Sequence, residues 1–578
     1  MNNNLIAKSF RSMMYMMIFA GIVAMCGSVI DGVVVGNCLG ADNMTAFGYA
    51  APVFMIIASV GGIFSNGGKA ECAVMTGEGR YDEARENFTR AIVLTIISGI
   101  IMMAILLAAA EPIAAFLGAS GDYIALTAGY IRGLGIGVIP IMLLQVVTAY
   151  YSLDGAEILG FVCAVVMSAV NITLDLIVGL VLHGSLFGIG LATSVSYLLA
   201  LMSLGLYFRK KDRLFRFVSV KNSAAKTLSM IYTGLPSAVN RVCFCSTSVI
   251  LNHMLTAAAG EMAVAAFSVQ NTVGTFADAV LMGVTSTIAV FSGMFYGERD
   301  KTALRASFKV AFRYGMILAC GMGLVIFIFA PAISAGMLSA DAATLECTVV
   351  SLRFYAVALP GDIFSLLLMY HYLSTRKVML SNAVCVFYSF ATWVLSALVL
   401  GNLFGLNGIW LGKFAAGILF FAATMPFLHK YRGGGILDYV MATEKDFEPD
   451  NRKVCQISVA DNMEDVAGAC DKLREFCAES GFERNKVFRI CLALEELAGN
   501  IVQHGYKDSR KNHFIDIRLV LNDDNSGCLS VRDNGRKFNP LEYKYSDSQY
   551  GIRIIRGITD RIDYHYVASM NCLNMYIK

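Results

Sequence analysis

The sequence predicts an α-helical polytopic membrane protein of about twelve transmembrane helices in two six-helix repeats, followed by a C-terminal α+β sandwich domain. Three observations lead to this prediction: long apolar runs through the first 430 residues, alternating basic and acidic loops between them, and an abrupt rise in charged residues afterwards. The chain has 578 residues, of which 56% are hydrophobic and 15% charged. Soluble domains carry roughly a quarter charged residues, so much of this chain is expected to lie in lipid.

Twelve apolar runs are candidate spans, because a helix that crosses a membrane needs about 20 mainly apolar residues. The first run is too long for the apolar core of a cleaved signal peptide and is interpreted as a transmembrane helix. The runs centre on residues 12–36, 46–70, 90–110, 124–150, 158–182, 186–208, 232–257, 263–293, 308–331, 345–372, 378–401 and 408–428.

The loops between these runs alternate in charge. One set carries Lys and Arg, as at 80–90 and 209–216, whereas the other carries only acidic residues, such as Asp42 and Asp341. Since positively charged loops stay in the cytoplasm, both termini and the C-terminal domain are predicted to be cytoplasmic, on a multi-pass protein of the inner or plasma membrane. The net charge of +3 is too small to indicate nucleic acid as a partner, while membrane lipid is an expected one.

The two halves of the apolar region resemble each other at a shift of 220 residues. Gly77-Glu78 corresponds to Gly297-Glu298, and Gly40 corresponds to Gly260. Because each half has six helices, both halves start on the same side of the membrane and form parallel repeats about an axis along the membrane normal. Such repeats place a substrate site between two bundles, which favours a transporter over a pore.

Four polar side chains are predicted to lie at one depth within the first repeat. Asp31 falls near the outer end of the first span, Asp175 near the outer end of the fifth, and Asn171 one turn from Asp175 on the same helical face. Thr193 falls a few residues into the sixth span. An ionisable group in the membrane costs at least ~2.5 kcal/mol, so these oxygens are interpreted as a site for a proton or a sodium ion.

The second repeat lacks this pattern. The positions that correspond to Asp31 and Thr193 are Leu251 and Lys413, so the cation site is assigned to the first repeat alone. The alternative, that Asp31 and Asp175 only join neighbouring helices, stays open. Asp278 and Asp362 either line the cavity and attract cations or pair with arginines, and Lys413 is expected to extend outward to the membrane surface.

The first 430 residues resemble the MATE family of exporters, near its DinF and MepA branches. The residues that carry the resemblance are the segment Asp31–Gly40 with Ala46-Phe47-Gly48, the loops 77–84 and 296–300, and Asn171, Asp175 and Thr193. The resemblance implies efflux of drugs or other amphipathic cations in exchange for H⁺ or Na⁺. It also implies that Asp31, Asn171, Asp175 and Thr193 form the cation-coupling site.

The chain is predicted to divide into a transporter-like region at residues 1–430, a polar linker at 431–453 and a soluble domain at 454–578. Within the first region, repeat one covers about 1–215 and repeat two about 225–430. Helices beside a mixed or antiparallel sheet make the soluble domain an α+β sandwich. Its strands are expected at 454–459, 514–521, 528–532, 564–567 and 573–577, and its helices at 464–478, 483–504 and 551–561.

The soluble domain carries residues suited to a nucleotide. Glu496 and Asn500 lie on one helical face, and an Asn oxygen beside a carboxylate suits a Mg²⁺ held through phosphates. Asp533, followed by Asn and Gly535, is placed to accept a hydrogen bond from an adenine amine where the backbone approaches closely. Gly551 opens a predicted helix, whose N-terminal amides favour phosphate.

The segments 493–506, 533–540 and 551–556 resemble the GHKL ATPase fold, most closely the anti-sigma-factor serine kinases. The resemblance implies that Glu496 is the general base, Asn500 the Mg²⁺ ligand and Asp533 the adenine reader. Gln549 stands where the family often has the first Gly of a Gly-x-Gly. ATP and Mg²⁺ are therefore expected as cofactors, while phosphotransfer stays open.

Two functions from different classes follow. The favoured one is an antiporter that exports small organic cations or drugs and carries an ATP-binding regulatory domain. The alternative is a membrane-anchored serine/threonine protein kinase or anti-sigma-like partner-switching module that acts on a cytoplasmic regulatory protein and uses the transporter-like half as a sensor. A flippase of lipid-linked precursors on the same scaffold is less favoured.

Overall fold

The computed structural model describes two parts of the chain, residues 4–429 and 453–577. Nearly all of the predicted linker and the start of the helix predicted at 551–561, including Gly551, lie outside the described residues. The positions it leaves undescribed within these parts are 183, 210–212, 221–222, 339–340, 461, 505–512, 523, 525, 536, 538, 540–554 and 556.

The first part is entirely helical apart from its loops. Eleven helices of the described residues are long and apolar enough to cross a membrane, and a bent pair, α5 and α6 with 49° between them, brings the count to twelve if it forms one span. The prediction of about twelve spans is confirmed. The helices are α1 (Asn4–Val34), α2 (Ala41–Gly77), α3 (Tyr81–Ala108), α4 (Ala110–Phe116), α5 (Tyr123–Ile136), α6 (Val138–Leu153), α7 (Glu157–Leu176), α8 (Leu186–Ser203), α9 (Ala224–Gly297), α10 (Lys301–Met337), α11 (Ala342–Ser374), α12 (Val378–Val386), α13 (Trp393–Phe404) and α14 (Leu406–His429).

Two repeat-related glycines make the turns between the first and second spans of each half. Gly40 has φ 92° and ends α1 before α2 begins, and Gly260 has φ 63° and breaks the long element α9 into the spans Ala224–Gly260 and Met262–Gly297. Residues with a Cβ rarely adopt these angles. The repeat detected in the sequence is therefore visible as repeated backbone geometry.

A second pair of repeat-related glycines brings the halves together at one membrane face. α2 packs along α9, and a Cβ on Gly77 would overlap the carbonyl of Met294, while a Cβ on Gly297 would overlap the carbonyl of Val74. The helices can cross this closely because both crossing residues lack side chains. The two repeats are thus in direct backbone contact at the ends of α2 and α9.

The second part is an α+β sandwich, as predicted. Its sheet has the order β1-β2-β3-β5-β4 with every neighbouring pair antiparallel. The two described helices pack on one face, where Leu473 and Leu494 meet Ile517 and Met575 in one core. The elements are β1 (Lys453–Ala460), α15 (Met463–Glu479), α16 (Arg484–His504), β2 (Phe514–Leu521), β3 (Gly527–Asp533), β4 (Arg561–Val567) and β5 (Met570–Ile577).

The other face of this sheet is covered by the membrane region. This sheet face lies against three short loops of the membrane region, at residues 78–80, 154–156 and 298–300, which we call the domain-side loops. The sheet is therefore sandwiched between its own helices and the ends of the transmembrane helices.

We expect Gly297→Leu to lower the thermal unfolding midpoint of the purified full chain, because overpacking a tight contact costs about 1–3 kcal/mol. Gly321→Leu is the matched control, since Gly321 also lies in a helix but a Cβ added there would have no neighbouring atom within 4 Å. A Gly297→Leu protein that melts with the control would contradict the close crossing.

Candidate functional site

The acid pair of the first repeat is buried between α1 and α7. Asp31 is 8% exposed and Asp175 is fully buried. Asn171 donates from Nδ2 to Asp175 Oδ2 over 3.0 Å, and the carboxyl groups of Asp31 and Asp175 lie side by side. Two carboxyl groups so close in a buried site oppose each other's ionisation, so the arrangement favours a proton on one of them.

Close helix packing brings these groups together. Gly27 lies one turn before Asp31, and a Cβ there would sit 3.6 Å from Asn171 Oδ1. Ser168 Oγ donates to the carbonyl of Val23 over 2.8 Å, which ties α7 to α1 about two turns before the acids. The sequence placed the acids at one depth, and this packing explains how they meet.

A π-helical turn follows each acid. The turn Val35–Leu39 comes after Asp31 and the turn Ile177–Val181 comes after Asp175. Such turns leave i→i−4 carbonyls of a helix without their usual partners and occur frequently at functional sites. Nothing in the sequence pattern indicated them.

Thr193 lies near this site on α8 but is not hydrogen-bonded to it. It is buried, and its Oγ1 donates to the carbonyl of Ile189 in its own helix over 3.2 Å. The structure thus brings three of the four predicted residues together. Sequence reasoning missed two aromatic residues within electrostatic range of Asp31, the buried Tyr130 and the partly buried Tyr197.

The second repeat has a different charge arrangement. Lys413 Nζ lies 2.8 Å from Asp362 Oδ2, and Tyr388 OH donates to Asp362 Oδ1 over 2.7 Å. The expectation that Lys413 extends outward is wrong, because its side chain is only 13% exposed and turns into the bundle. Asp362 pairs with this lysine rather than with an arginine.

The predicted nucleotide residues of the soluble domain lie along α16 and at the end of β3. Glu496 and Asn500 are partly exposed on α16. Asp533 is 5% exposed and accepts hydrogen bonds from Gly535 N over 2.7 Å and from Asn571 Nδ2 over 2.9 Å. Burial raises the pKa of Asp533 to about 6, so its carboxylate is ionised at neutral pH.

The orientation of Asp533 depends on β5 and β4. Asn571, which donates to Asp533, accepts a hydrogen bond from Tyr564 OH over 2.7 Å. Asn571 lies opposite Asp533 in the β3–β5 register. Sequence reasoning did not single out Asn571 or Tyr564, since only the strand pairing shows that they face the same site.

Two arginines join the soluble domain to the second repeat. Arg532 is 3% exposed, forms an ion pair with Glu298, and places Nη1 3.0 Å from Asp300 Oδ2. Arg518 donates to the carbonyls of Glu298 over 3.3 Å and Arg299 over 3.2 Å. Although burial alone would raise it, the pKa of Asp300 is held below its ordinary value by the charges of Arg532 and Arg518.

The same sheet face also reaches the first repeat. The rings of Tyr81 and His565 stack with centroids 3.3 Å apart, and burial lowers the pKa of His565 to about 3, so this ring is neutral. Ser569 Oγ lies 3.5 Å from Glu157 Oε1, and Gly155 leaves no room for a Cβ beside the Tyr566 ring. The docked domain therefore bridges both repeats.

Comparison with protein families matches each part of the chain separately. The MatE family model matches residues 17–177 and 236–399, which is one block in each repeat. The histidine kinase-like ATPase domain model matches residues 459–577.

Curated relatives match the membrane region. Multidrug export protein MepA of Staphylococcus aureus (strain NCTC 8325 / PS 47) is 23% identical over 355 residues, which cover 60% of this chain and 77% of that protein. Multidrug export protein MepA of Staphylococcus saprophyticus is 21% identical over 323 residues, which cover 55% of this chain and 71% of that protein.

Solved structures share the fold. An outward-facing multidrug resistance MATE family transporter of the MOP superfamily superposes with a TM-score of 0.71 at 22% identity, covering 76% of this chain and 97% of that one. A MOP superfamily transporter from Pyrococcus furiosus superposes with a TM-score of 0.68 at 21% identity, covering 74% and 97%. On these grounds the chain belongs to the MatE family and carries a histidine kinase-like ATPase domain at its C-terminus.

Proposed function

We propose that the protein is a secondary antiporter of the cell membrane that exports small organic or amphipathic cations in exchange for H⁺ or Na⁺. Its coupling site comprises Asp31, Asn171, Asp175 and Thr193. The cytoplasmic C-terminal domain binds ATP with Mg²⁺ and regulates transport. The observation that carries the proposal is the burial of Asp31 and Asp175 side by side, with Asn171 hydrogen-bonded to Asp175.

The chemistry of that pair suits ion exchange. Two adjacent carboxyl groups in a low-dielectric site cannot both ionise, so the pair retains a proton until another cation arrives. Asn171 contributes an amide oxygen, which is a ligand that Na⁺ shares with carboxylates. A site of this kind binds one small cation at a time, which is the requirement for coupling its movement to that of a substrate.

The substrate class follows from the relatives and from the proposed orientation. The MepA proteins are multidrug export proteins, and export of cations from the cytoplasm fits a carrier whose domain-side loops face the cytoplasm. The basic residues of those loops, such as Arg80 and Arg299, support that orientation.

Alternating access then needs the two repeats to rock against each other. In this structure the cytoplasmic ends of α2 and α9 are in contact at Gly77 and Gly297. This conformation is closed on the cytoplasmic side. Loading substrate requires that contact to separate.

We expect Asp31→Asn and Asp175→Asn each to reduce ion-driven uptake of a fluorescent organic cation into everted vesicles by at least tenfold. An amide cannot exchange a proton at these positions, so the residual uptake by each variant should no longer depend on the ion gradient. Vesicles prepared at several pH values, with and without Na⁺, identify the coupling ion.

Asp42→Asn is the matched control for this experiment, since Asp42 is an exposed acid in the first turn of α2, where it accepts a hydrogen bond from Tyr123 OH over 2.9 Å. Its uptake should equal that of the wild type. Full uptake by both Asp31→Asn and Asp175→Asn would refute the coupling site.

The nucleotide chemistry rests on the exposed face of α16 and the end of β3. Asn500 would hold Mg²⁺ through the phosphates, Asp533 would accept a hydrogen bond from the adenine amine, and Glu496 would act as general base if phosphate is transferred. Gly535 lets the backbone approach the base, and Gly551 would cap the phosphates. When bound, Mg²⁺ supplies the positive charge that neutralises the phosphates.

We expect Asp533→Asn to weaken ATP binding to the purified full chain about tenfold or more, because a hydrogen bond to a charged group contributes about 1.5–3 kcal/mol and tenfold is 1.4 kcal/mol. Wild-type affinity should fall as the pH drops through about 6, since the protonated carboxyl loses acceptor strength. Binding is measured with a fluorescent ATP analogue.

Asp524→Asn, which removes an exposed acid in the β2–β3 turn, should leave ATP affinity unchanged. Equal affinity in Asp533→Asn and the wild type would remove Asp533 from the site. Labelled ATP in the same preparation addresses the kinase alternative: transfer of label to a protein partner, lost in Glu496→Ala, would favour that function instead.

The docking contacts support regulation, because the domain holds the cytoplasmic ends of both repeats at once. Separating the repeats on that side must either break the contacts of Arg532 with Glu298 and Asp300 or the contacts of His565 and Ser569 with the first repeat. Any change in the domain that weakens either set favours cytoplasmic opening.

We expect Arg532→Ala to release the domain, because the buried carboxylates of Glu298 and Asp300 lose their partner and losing half of a buried ion pair costs about 3–5 kcal/mol. Hydrogen exchange of the 298–300 loop should rise, and ATP should still bind but no longer alter transport. Arg561→Ala is the control, since Arg561 is 58% exposed and pairs within its own strand. An Arg532→Ala protein whose transport still responds to ATP would contradict regulation through this contact.

A further inference from the structure

The second repeat contains a small cavity at the position that corresponds to the coupling site of the first. Leu251 corresponds to Asp31 and Lys413 to Thr193 at the 220-residue shift, and both line this cavity. Its lining is otherwise apolar and aromatic apart from one amide: Leu255, Phe267, Gln270, Trp393, Ile409 and Trp410.

The Lys413 ammonium sits in a cage of aromatic rings and one carboxylate. Its Nζ lies 4.5 Å from the centroid of the Tyr355 ring and 4.8 Å from that of Trp393. Asp362 Oδ2 is 2.8 Å away. Aromatic rings that surround a cation are the chemistry that proteins use to bind quaternary ammonium groups, and here a carboxylate lies beside them.

The carboxylate of the cage is held in place independently of the lysine. Tyr388 OH donates to Asp362 Oδ1, and Tyr388 belongs to the π-helical turn Phe387–Thr392. A π-helical turn also follows each acid of the first repeat. The rigid parts of the cage are therefore the rings and Asp362, while the occupant is the end of a flexible four-carbon chain.

Lys413 has a second acid within reach of its charge. Asp278 interacts electrostatically with Lys413, and also with Asp362 and Arg241. The side chain of Asp278 is exposed, whereas Asp362 is buried. A lysine that leaves the cage therefore stays in the electrostatic field of a second carboxylate.

We propose that this cage is an ammonium-binding subsite for the exported cation, and that Lys413 occupies it only while no substrate is bound. The substrate's ammonium replaces that of Lys413 between Tyr355 and Trp393 and pairs with Asp362. The first repeat thus exchanges a small ion, and the second exchanges an organic cation for a lysine of the chain itself. This inference rests on the proposed export of organic cations, but it is tested by binding rather than by transport.

The chain has an intrinsic fluorescent probe at this cavity. The sequence has 2 Trp residues, and both Trp393 and Trp410 line the cavity, so intrinsic tryptophan emission of the full chain reports on this site. Choline, which carries a trimethylammonium group, is titrated against its uncharged isostere 3,3-dimethyl-1-butanol. We expect a saturable change in emission with choline and none with the alcohol.

The variants separate displacement of Lys413 from simple binding. Lys413→Met removes the competing charge and should tighten choline binding at least tenfold, while Lys413→Arg, which retains a cation, should not. Asp362→Asn should abolish choline binding. The double variant Lys413→Met with Asp362→Asn removes both charges of the pair, so neither is left without its partner. It should fold and still fail to bind choline.

Three results would overturn the subsite: no saturable choline signal in the wild type, an equal signal with the alcohol, or unchanged choline affinity in Lys413→Met. Asp31→Asn separates this inference from the proposed antiport, because it should stop transport and leave choline binding intact. Choline binding without any ion-driven transport in the wild type would overturn the antiport function and support the subsite.

Discussion

An unpaired charge is costly in a medium without water, and this cost constrains the buried charged groups in both parts of the protein. Three buried sites meet that cost in different ways. Asp31 and Asp175 lie side by side, where a proton on one removes a charge, Asp362 pairs with Lys413, and Arg532 pairs with Glu298 and Asp300. The partner chosen decides what each site can do. A shared proton can leave, a tethered lysine can only turn aside, and a pair between domains breaks when the domains separate.

The two repeats show how one scaffold acquires two chemistries. Their backbones match at Gly40 and Gly260 and again at Gly77 and Gly297, so the helices of both halves run alike. At the corresponding polar positions the first half has Asp31 and the second has Leu251. The second half then supplies its own positive charge from Lys413. The two halves therefore have the same fold but different charges, and the proposed site for a small ion lies in the first half alone.

Sequence reasoning correctly predicted the features that local patterns determine. Span length, loop charge and the glycine repeat predicted the helices, and the four-residue spacing placed Asn171 and Asp175 on one helical face, where the structure shows a hydrogen bond between them. It failed for Lys413, because the choice between the membrane surface and Asp362 depends on how α11 and α14 pack. It also gave no sign that the sheet face carrying Arg518 and Arg532 meets the 298–300 loop, since no local pattern relates residues so far apart in the chain.

The alternation of side chains along strand β3 places the predicted nucleotide site next to the contact with the transporter region. Arg532 and Asp533 are neighbours on β3, and successive side chains of a strand point to opposite faces. Asp533 faces the helices and the predicted adenine position, while Arg532 faces Glu298 and Asp300 at the end of α9. One rigid strand therefore connects the two sites over a single peptide bond. A ligand that shifts or stiffens the end of β3 would change the geometry of the Arg532 contacts, and those contacts hold the domain against the end of α9.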